Sequence, residues 1–301
     1  MHNILITGGT GLIGKHLIKA LSDKGYSISI LSRKKISDSI YPTYMWNVDT
    51  MEIDNKAIEW ADVIIHLAGT NIGAKRWTKK RKKEIADSRI KSSELIFNAV
   101  KKQNNKLKVF ISASAIGFYG TINSNKIFTE NDPPANDFLG EICNHWEQAV
   151  EKFKELEIRT VKIRTGVVLS KQEGALSKMI IPVKAGLGAA LGSGKQFLPW
   201  IHIDDLCNIY IKAIGDSQMS GAYNAVASNE TNKSFTRTLA KILNKPLWLP
   251  NIPGFFLKML FGEMADILLK GSQISNHKIK KSGFTFAFPD LEKTLINLFQ
   301  S

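Results

Sequence analysis

The chain has 301 residues, of which 44% are hydrophobic, and its formal net charge is +14. This length and apolar fraction are typical of a globular protein with a substantial core. The chain has two cysteines, Cys143 and Cys207, which lie far apart in the sequence and fit a reducing compartment better than a disulfide framework. The sequence shows no His and Cys at metal-ligand spacing, no signal-peptide pattern and no apolar run of membrane-spanning length. We therefore predict a cytoplasmic protein without a metal site or a membrane segment.

The start of the chain predicts a strand, a tight turn and a helix. An apolar run over residues 4–6 is typical of a buried strand, and Leu17, Ile18 and Leu21 then recur at helical spacing. Between them, glycines at positions 8, 9, 11 and 14 allow a turn whose backbone can approach a phosphate closely. The helix that follows points its N–H groups and the positive end of its dipole at the same place.

A second strand-like run over residues 26–31 closes a βαβ unit of about 30 residues. The alternative, an ordinary strand–helix turn, would not need this context, so we predict that the turn binds the pyrophosphate of a dinucleotide. The residues predicted to contact the dinucleotide here are Gly8, Thr10, Gly11, Leu12, Ile13 and Gly14.

The end of the second strand indicates which dinucleotide binds. An acidic residue at this position usually accepts from the ribose hydroxyl of NAD, whereas an arginine accommodates the additional phosphate of NADP. Here the chain has Ser32, Arg33 and Lys34, with no carboxylate. A guanidinium presents forked donors that suit a phosphate, so we predict NADP(H), with a solvated basic turn as the alternative.

The basic run at residues 75–83 raises the question of nucleic-acid binding. Lysine outnumbers arginine in the chain's basic surface, Trp77 is the one aromatic residue within the run, and no nucleic-acid-binding motif occurs. We therefore predict a solvated lysine-rich surface that attracts anionic small molecules rather than nucleic acid.

Further along the chain, strands and helices alternate. Residues 44–48 predict a third strand, and Asp49 after it could accept from an adenine amino group. Residues 55–60 predict a helix, and residues 63–69 predict a central parallel strand buried on both faces. Because ligands in such sheets lie beyond the carboxyl ends of the strands, the cofactor should contact the end of this strand. The residues predicted there are Leu67, Ala68 and Gly69.

The alternation continues and predicts an α/β fold with a Rossmann-type doubly wound parallel sheet. Helices are predicted over residues 79–102 and 138–156, and strands over residues 107–112 and 160–163. We assign residues 1–168 to this NADP-binding domain.

From about Ser170 the pattern changes. Glycine-rich sequence over residues 186–194 precedes the segment 197–205, and later segments include a strand-like run over residues 222–225 and a largely helical tail. We predict a smaller substrate-covering domain at residues 169–301, with boundaries that can interleave with the first domain.

These motifs together resemble the extended short-chain dehydrogenases/reductases. The closer resemblance is to their atypical epimerase-like subgroup, also called nucleoside-diphosphate-sugar epimerase family proteins. The tail segments 260–265, 268–271 and 283–286 match the C-terminal domain of unknown function of this subgroup, at about residues 249–297. The resemblance covers essentially the whole chain and implies NADP(H) and a nucleotide-sugar or similar polar small molecule as substrate.

Extended members of the superfamily use a serine together with a tyrosine and a lysine four residues apart, in which the lysine and the cofactor lower the pKa of the phenol. No tyrosine of this chain is followed by lysine at the fourth position. The resemblance places Leu139 at the tyrosine position, Cys143 at the lysine position and Ser114 at the serine position. The subgroup as a whole is known for lacking the dyad.

Other residues could supply the missing proton or bind the substrate. Tyr119 follows the serine strand, with packing under its loop as the alternative. Arg164 follows a strand and could bind a substrate phosphate or carboxylate, with a structural ion pair as the alternative. His202 and Asp204 share a face of an extended segment beside the predicted substrate region, and capping the next helix is the alternative role of Asp204. His145 and Glu130 are further titratable candidates.

Two functions therefore remain open. The first is an NADP(H)-dependent oxidoreductase or epimerase that acts on a small-molecule substrate, with Ser114 and Tyr119 as catalytic residues. The second is a non-catalytic NADP(H)-binding sensor or scaffold, which the missing dyad motivates. The resemblance also implies that a homodimer would form through the helices at residues 79–102 and 138–156, although their polar faces equally suit a monomer.

Overall fold

The computed structural model describes residues 2–37, 39–103 and 107–300. Within these ranges eight strands form one large sheet, three form a second and two form a third. The strands are β1 Asn3–Thr7, β2 Ser27–Ser32, β3 Thr43–Asn47, β4 Glu52–Ile53, β5 Val63–His66, β6 Val109–Ala115, β7 Ile127–Phe128, β8 Arg159–Thr165, β9 Val167–Leu169, β10 Phe197–His202, β11 Gly221–Ala225, β12 Ser228–Thr231 and β13 Gln273–Ile274.

Helices cover both faces of the large sheet. They are α1 Leu12–Ser22, α2 Asn55–Trp60, α3 Lys79–Lys101, α4 Phe138–Glu151, α5 Ala175–Lys184, α6 Ile203–Gly215, α7 Asn232–Ile242, α8 Gly254–Phe261, α9 Asp266–Leu269, α10 His277–Lys281 and α11 Leu291–Gln300. Short 3-10 turns occupy Ile116–Tyr119, Lys152–Leu156 and Gly262–Ala265.

The large sheet has the order β11-β8-β6-β5-β1-β2-β3-β4. Its pairings are parallel except for β4, which runs antiparallel to β3 at the edge. The buried runs of β1 and β5 lie at its centre, where both faces are covered. The predicted Rossmann-type α/β fold is confirmed.

One predicted strand joins an unexpected partner. The strand-like run 222–225, counted with the second half of the chain, is β11 and pairs in parallel with β8 at the edge of the large sheet. The large sheet is thus completed by residues well beyond 168. The division of the chain at that residue stays a prediction.

The tail packs into the main core. The side chains of Ile279, Leu295 and Leu298 are buried in the cluster that also holds β1, α1 and α6. β13 pairs with β7, which lies about 150 residues earlier in the chain. No helix among the described residues has the length and apolarity needed to cross a membrane.

Candidate functional site

A cleft of about 1200 Å³ opens at the carboxyl ends of β1, β2, β3 and β5. Its walls include ten of the residues predicted to contact the cofactor: Gly8, Thr10, Gly11, Ser32, Arg33, Lys34, Asp49, Leu67, Ala68 and Gly69. The other three, Leu12, Ile13 and Gly14, lie in the first turn of α1 rather than in the wall. The sheet topology therefore brings together residues that are up to 61 positions apart, and their binding roles stay predictions.

The glycine turn has the geometry of a cradle for a ligand. Gly8 adopts a φ of +69°, and a Cβ there would lie 2.9 Å from the backbone of Leu67 and Ala68. A Cβ at Gly14 would lie 2.3 Å from the carbonyl oxygen of Gly8, so the helix can sit close to the turn only with glycine there. α1 begins after Gly11 with no side-chain cap and no acidic residue in its first turn, which suits an anion.

Cations border the cleft on two sides. Arg33 and Lys34 are exposed at the end of β2, and Lys80, Arg81 and Lys83 of α3 contribute to the opposite wall. The basic run 75–83 thus borders the candidate site. Its side chains also make local contacts, because Arg81 bonds to Glu84, and Lys82 bonds to Glu263 of the tail.

His66 stabilises the part of the cleft wall that follows β5. Thr7 Oγ1 accepts the N–H groups of Leu67 and Ala68, each at 3.1 Å. Both its lone pairs are then used, so its proton goes to His66 Nδ1 at 2.8 Å, and the ring donates from Nε2 to Ser92 Oγ at 3.0 Å. This chain of hydrogen bonds fixes the backbone that faces the cleft.

Burial keeps that histidine neutral. Desolvation, with a smaller contribution from the charge of Arg89, lowers the pKa of His66 to about 3. A protonated ring would also lose its acceptor for the proton of Thr7. His66 is therefore a structural support of the cleft wall rather than a group that exchanges protons near neutral pH.

Three of the predicted catalytic and substrate-binding residues lie together in a buried polar network behind the cleft. Ser114 is 4% exposed and donates to Glu147 Oε1 at 2.7 Å. Arg164 donates from Nε to the same oxygen at 2.8 Å and from Nη2 to Glu147 Oε2 at 2.9 Å. The structural ion pair, which was the alternative for Arg164, is present in the structure.

Tyr119 completes this network. It is 2% exposed, its hydroxyl donates to Asn224 Oδ1 at 2.7 Å, and it accepts from Arg164 Nη1 at 2.9 Å. The Arg164 guanidinium also lies over the Phe118 ring, 3.4 Å from its centroid. The packing role that was the alternative for Tyr119 is thus present, and Asn224 links it to the tail by donating to Ser275 O.

The pKa values agree with a structural network. Burial raises the pKa of Tyr119 to about 12, although Arg164 opposes the shift. Burial would lower the pKa of Arg164, but the hydrogen bonds and charge of Glu147 outweigh this and raise it. A tyrosine that exchanges protons needs a pKa nearer to neutral, so this arrangement does not activate the phenol.

The two positions that the resemblance assigns to the tyrosine and the lysine of the dyad lie on α4. Leu139 and Cys143 are both buried against the turn Ile116–Tyr119, where a Cβ at Gly117 would lie 3.3 Å from Leu139 Cβ and 3.7 Å from Cys143 Sγ. Burial raises the pKa of Cys143 to about 12, so its thiol stays protonated. Neither side chain can exchange a proton near neutral pH.

His202 and Asp204 have different environments. His202 is buried, stacks on Phe288 with ring centroids 4.0 Å apart, and caps α6 by accepting from the N–H of Asp204 at 3.0 Å. The cap of this helix is therefore His202 rather than Asp204, whose side chain is 60% exposed. The pKa of His202 is lowered by burial, against the opposing charge of Asp204.

Several residues that organise this region were not predicted from the sequence. Asp205 is fully buried and accepts the N–H groups of Ala287 and Phe288, at 2.8 and 2.9 Å. Glu147 and Asn224 hold the network of Ser114 and Tyr119. The one indication in the sequence was that Glu147 falls on the buried side of its helix, beside Trp146 and Val150. No group of three or more His, Cys, Asp or Glu in the described ranges could hold a metal ion.

Comparison with known protein families gives two matches that together span most of the chain. Residues 4–225 match the NAD dependent epimerase/dehydratase family, and residues 252–298 match a domain of unknown function, DUF1731. The second match coincides with the tail segments that carried the predicted resemblance.

Similar proteins cover the chain from end to end. An epimerase family protein of Bacillus subtilis is 38% identical over 299 residues, covering 98% of this chain and 97% of that protein. The mouse epimerase family protein SDR39U1 is 32% identical over 297 residues, covering 97% of this chain and 98% of that protein.

Among solved structures, human SDR39U1 (isoform 2), crystallised with NADPH, is similar at a TM-score of 0.88 and 29% identity, with 99% of each chain covered. A nucleoside-diphosphate sugar epimerase from Corynebacterium glutamicum is similar at a TM-score of 0.80 and 29% identity, covering 98% of this chain and 57% of that one. The predicted resemblance is confirmed, and the chain belongs to the NAD dependent epimerase/dehydratase family, within the extended short-chain dehydrogenases/reductases that carry the DUF1731 domain.

Proposed function

We propose that the protein binds NADP(H) in the cleft and acts as an oxidoreductase or epimerase on a nucleotide-sugar or similar polar small molecule. The observation that carries the proposal is the cleft itself, in which Gly8, Gly9 and Gly11, which have no Cβ atoms, share the lining with the exposed Arg33 and Lys34. The NADPH in the human relative supports the same cofactor.

The residues of the cleft fit this cofactor. Arg33 and Lys34, with Ser32, would hold the additional phosphate, and the N–H groups around Gly11 would hold the pyrophosphate. Asp49 is exposed in the cleft wall and can accept from the adenine amino group. When bound, the cofactor supplies hydride exchange with a carbon of the substrate.

Catalytic roles for Ser114 and Tyr119 are part of this proposal. Ser114 would hydrogen-bond the reacting oxygen only if its hydroxyl turned away from Glu147, and Tyr119 would need its hydroxyl released from Asn224 and Arg164. To bind the substrate, Arg164 and His202 would likewise have to leave their present partners. Asp204 is accessible in the present structure. The cofactor site is thus open in the present structure, whereas the catalytic roles require these hydrogen bonds to break.

The first test is a parallel titration with NADPH and NADH, followed by energy transfer from tryptophan to the reduced nicotinamide. Trp46 lies in the cleft wall and is a suitable donor. We expect tighter binding of NADPH than of NADH, and an Arg33→Ala variant should lose roughly ten-fold or more of the NADPH affinity, because charge-assisted hydrogen bonds contribute about 1.5–3 kcal/mol.

Arg237→Ala is the matched control, because Arg237 is exposed on α7, away from the cleft. It should leave both affinities unchanged. Failure of the folded, cofactor-free protein to bind either nucleotide would contradict the proposal, and equal binding of NADPH and NADH would contradict the assignment of Arg33.

A non-catalytic NADP(H)-binding sensor or scaffold is the second candidate function. The closed network supports it, because Ser114, Tyr119 and Arg164 all bond to other protein groups. It predicts that NADPH changes the protease resistance of the tail while Ser114→Ala has no effect on any cellular phenotype. Loss of turnover in Ser114→Ala, with NADPH affinity retained, would favour the enzyme instead.

The other expectations remain proposals. These are the cytoplasmic location, the choice between monomer and homodimer, and the absence of nucleic-acid binding. Fluorescence anisotropy with labelled DNA and RNA at low salt tests the last of these, because phosphate-driven binding would weaken steeply as salt is added.

A further inference from the structure

Arg89 of α3 lies directly behind the cleft wall at the end of β5. Its Nη1 donates to Thr70 O at 3.1 Å and to Ile85 O at 3.0 Å. Its guanidinium lies over the Trp146 ring of α4, 5.3 Å from the centroid, and a Cβ at Gly69 would lie 3.1 Å from Arg89 Cζ. Two backbone carbonyls and an aromatic ring therefore hold the guanidinium at this place.

Among the described residues, no carboxylate is paired with the charge of Arg89. Its electrostatic neighbours within these ranges are Cys143 and a second cation, Arg81. Arg164, by contrast, has both oxygens of Glu147. Burial lowers the pKa of Arg89, but a guanidinium remains charged at neutral pH. A positive charge with reduced solvation thus lies beside the cleft.

The place of this charge along the cleft follows from the strand order. Arg33 and Lys34 lie at the end of β2, the glycine turn at the end of β1, and Gly69 at the end of β5 on the far side. A dinucleotide whose phosphate-bearing adenosine lies at Arg33 and whose pyrophosphate lies at the turn must extend its nicotinamide toward β5 and β6. Cys143, which interacts with Arg89, lies in a buried cluster against which Ala115 at the end of β6 packs.

We propose that Arg89 makes the cleft discriminate against the oxidised cofactor, so that the protein holds NADPH in preference to NADP⁺. The oxidised nicotinamide ring carries a positive charge and the reduced ring carries none. A guanidinium without a carboxylate partner at that end of the cleft repels the first and leaves the second unaffected. This inference rests on the proposed cofactor function and deepens it, because a site that favours NADPH suits reduction of a substrate.

The test measures the dissociation constants of NADPH, by its fluorescence, and of NADP⁺, by displacement of NADPH. We expect wild-type protein to bind NADPH more tightly. Arg89→Met should bring the ratio of the two constants roughly ten-fold closer to one, because one nearby charge is removed. Arg89→Lys should keep most of the ratio. Arg89→Gln, whose amide is polar but uncharged, is a second neutral variant in case the first does not fold.

Arg159→Met is the matched control. Arg159 is also held by backbone carbonyls, those of Ala213 and Met219 at 2.9 Å, but it begins β8 at the end of the sheet opposite to the cleft. This variant should leave the ratio unchanged.

Several outcomes would overturn the inference. These are equal affinity of the wild type for both forms, an unchanged ratio in both neutral variants, or the same loss in Arg159→Met. Each of them is distinguishable from failure of the proposed function, in which the wild type would bind neither form.

Discussion

The cleft and the polar network behind it lie at the same end of the sheet but are built in opposite ways. The cleft wall includes glycines, small side chains and backbone groups, and four of its cations, Arg33, Lys34, Lys80 and Lys83, are exposed. The network consists of long polar side chains that are almost completely buried, with both oxygens of Glu147 engaged by Arg164. The polar groups of the cleft can therefore form hydrogen bonds with a ligand, whereas those of the network already bond to one another.

Because the two regions are built differently, ligand affinity and fold stability should depend on different residues. A solvent-exposed charged side chain can bind a ligand at little cost in folding free energy. A buried charged side chain that loses its partner destabilises the protein strongly. Substitutions in the cleft should therefore change affinity, and substitutions in the network should change the free energy of unfolding. Single substitutions in each region can show whether the two are separable in this way.

The largest effect is expected for Arg164→Met. It leaves the Glu147 carboxylate buried without its guanidinium, which should lower the free energy of unfolding by about 3–5 kcal/mol. Urea denaturation measures this, and NADPH titration of the folded variant should give the wild-type affinity. Adding Glu147→Gln should recover much of the stability. A variant that loses NADPH affinity as severely as stability would show that the regions are not separable.

A pH effect should come from the support of the cleft wall. The pKa of His66 is about 3 in the folded state, compared with 6.5 for an ordinary exposed histidine. As the pH falls, His66 therefore binds a proton at a higher pH in the unfolded chain than in the folded protein. Its contribution to the free energy of unfolding is fully present above pH 6.5 and is lost progressively toward pH 3. Between pH 6.5 and 4.5 we expect His66 to contribute a loss of about 2 kcal/mol.

The measurement is the free energy of unfolding as a function of pH in the wild type and in His66→Asn. The variant should be less stable at pH 7 and should show a shallower decline below pH 6.5. Parallel curves for the two proteins would show that His66 takes a proton in the folded state.

Gly8→Ala tests the cradle. A non-glycine residue at this φ costs on the order of 1–3 kcal/mol, and the added Cβ also approaches the backbone of Leu67 and Ala68. Gly186→Ala is the matched control, because Gly186 has a φ of +74° with nothing within 4 Å of its Cβ position. Both variants should lose stability, but only Gly8→Ala should weaken NADPH binding. Equal affinities in the two variants would contradict the cradle.

The smallest effect is expected for Tyr119→Phe. Removing the hydroxyl leaves Asn224 Oδ1 without this donor, which should cost about 1–2 kcal/mol of stability. NADPH affinity should not change. If Tyr119 instead exchanges a proton with the substrate, turnover on an identified substrate would fall by orders of magnitude while stability fell by the same small amount.

The sequence predicted those parts of the molecule that depend on neighbours along the chain. The glycine turn, β1 and α1 follow from residues within one short segment, and the basic end of β2 lies next to its strand. Parallel pairing then brings the strand ends together, because their carboxyl ends share one edge of the sheet. Most of the predicted cofactor residues therefore line one cleft.

The buried network depended on partners that periodicity does not identify. Arg164 could be given two roles, because its partner Glu147 lies on a different element 17 residues earlier. The bond from Ala287 to Asp205 spans 82 residues. Short strands such as Ile127–Phe128 carry no periodic signal, and the place of Gly221–Ala225 in the large sheet is set by tertiary pairing with β8.

The packing of the tail has a consequence for how the chain folds during synthesis. α11 packs on α7, α10 packs on β11, and Asp205 of α6 holds the backbone at residues 287 and 288. Until those residues leave the ribosome, the apolar faces of α6 and α7 lack their final cover. This region of the nascent chain must therefore remain incompletely folded until residues 277–300 have emerged, and contacts this distant in sequence close slowly. A chaperone that shields apolar surface would be needed most in that interval.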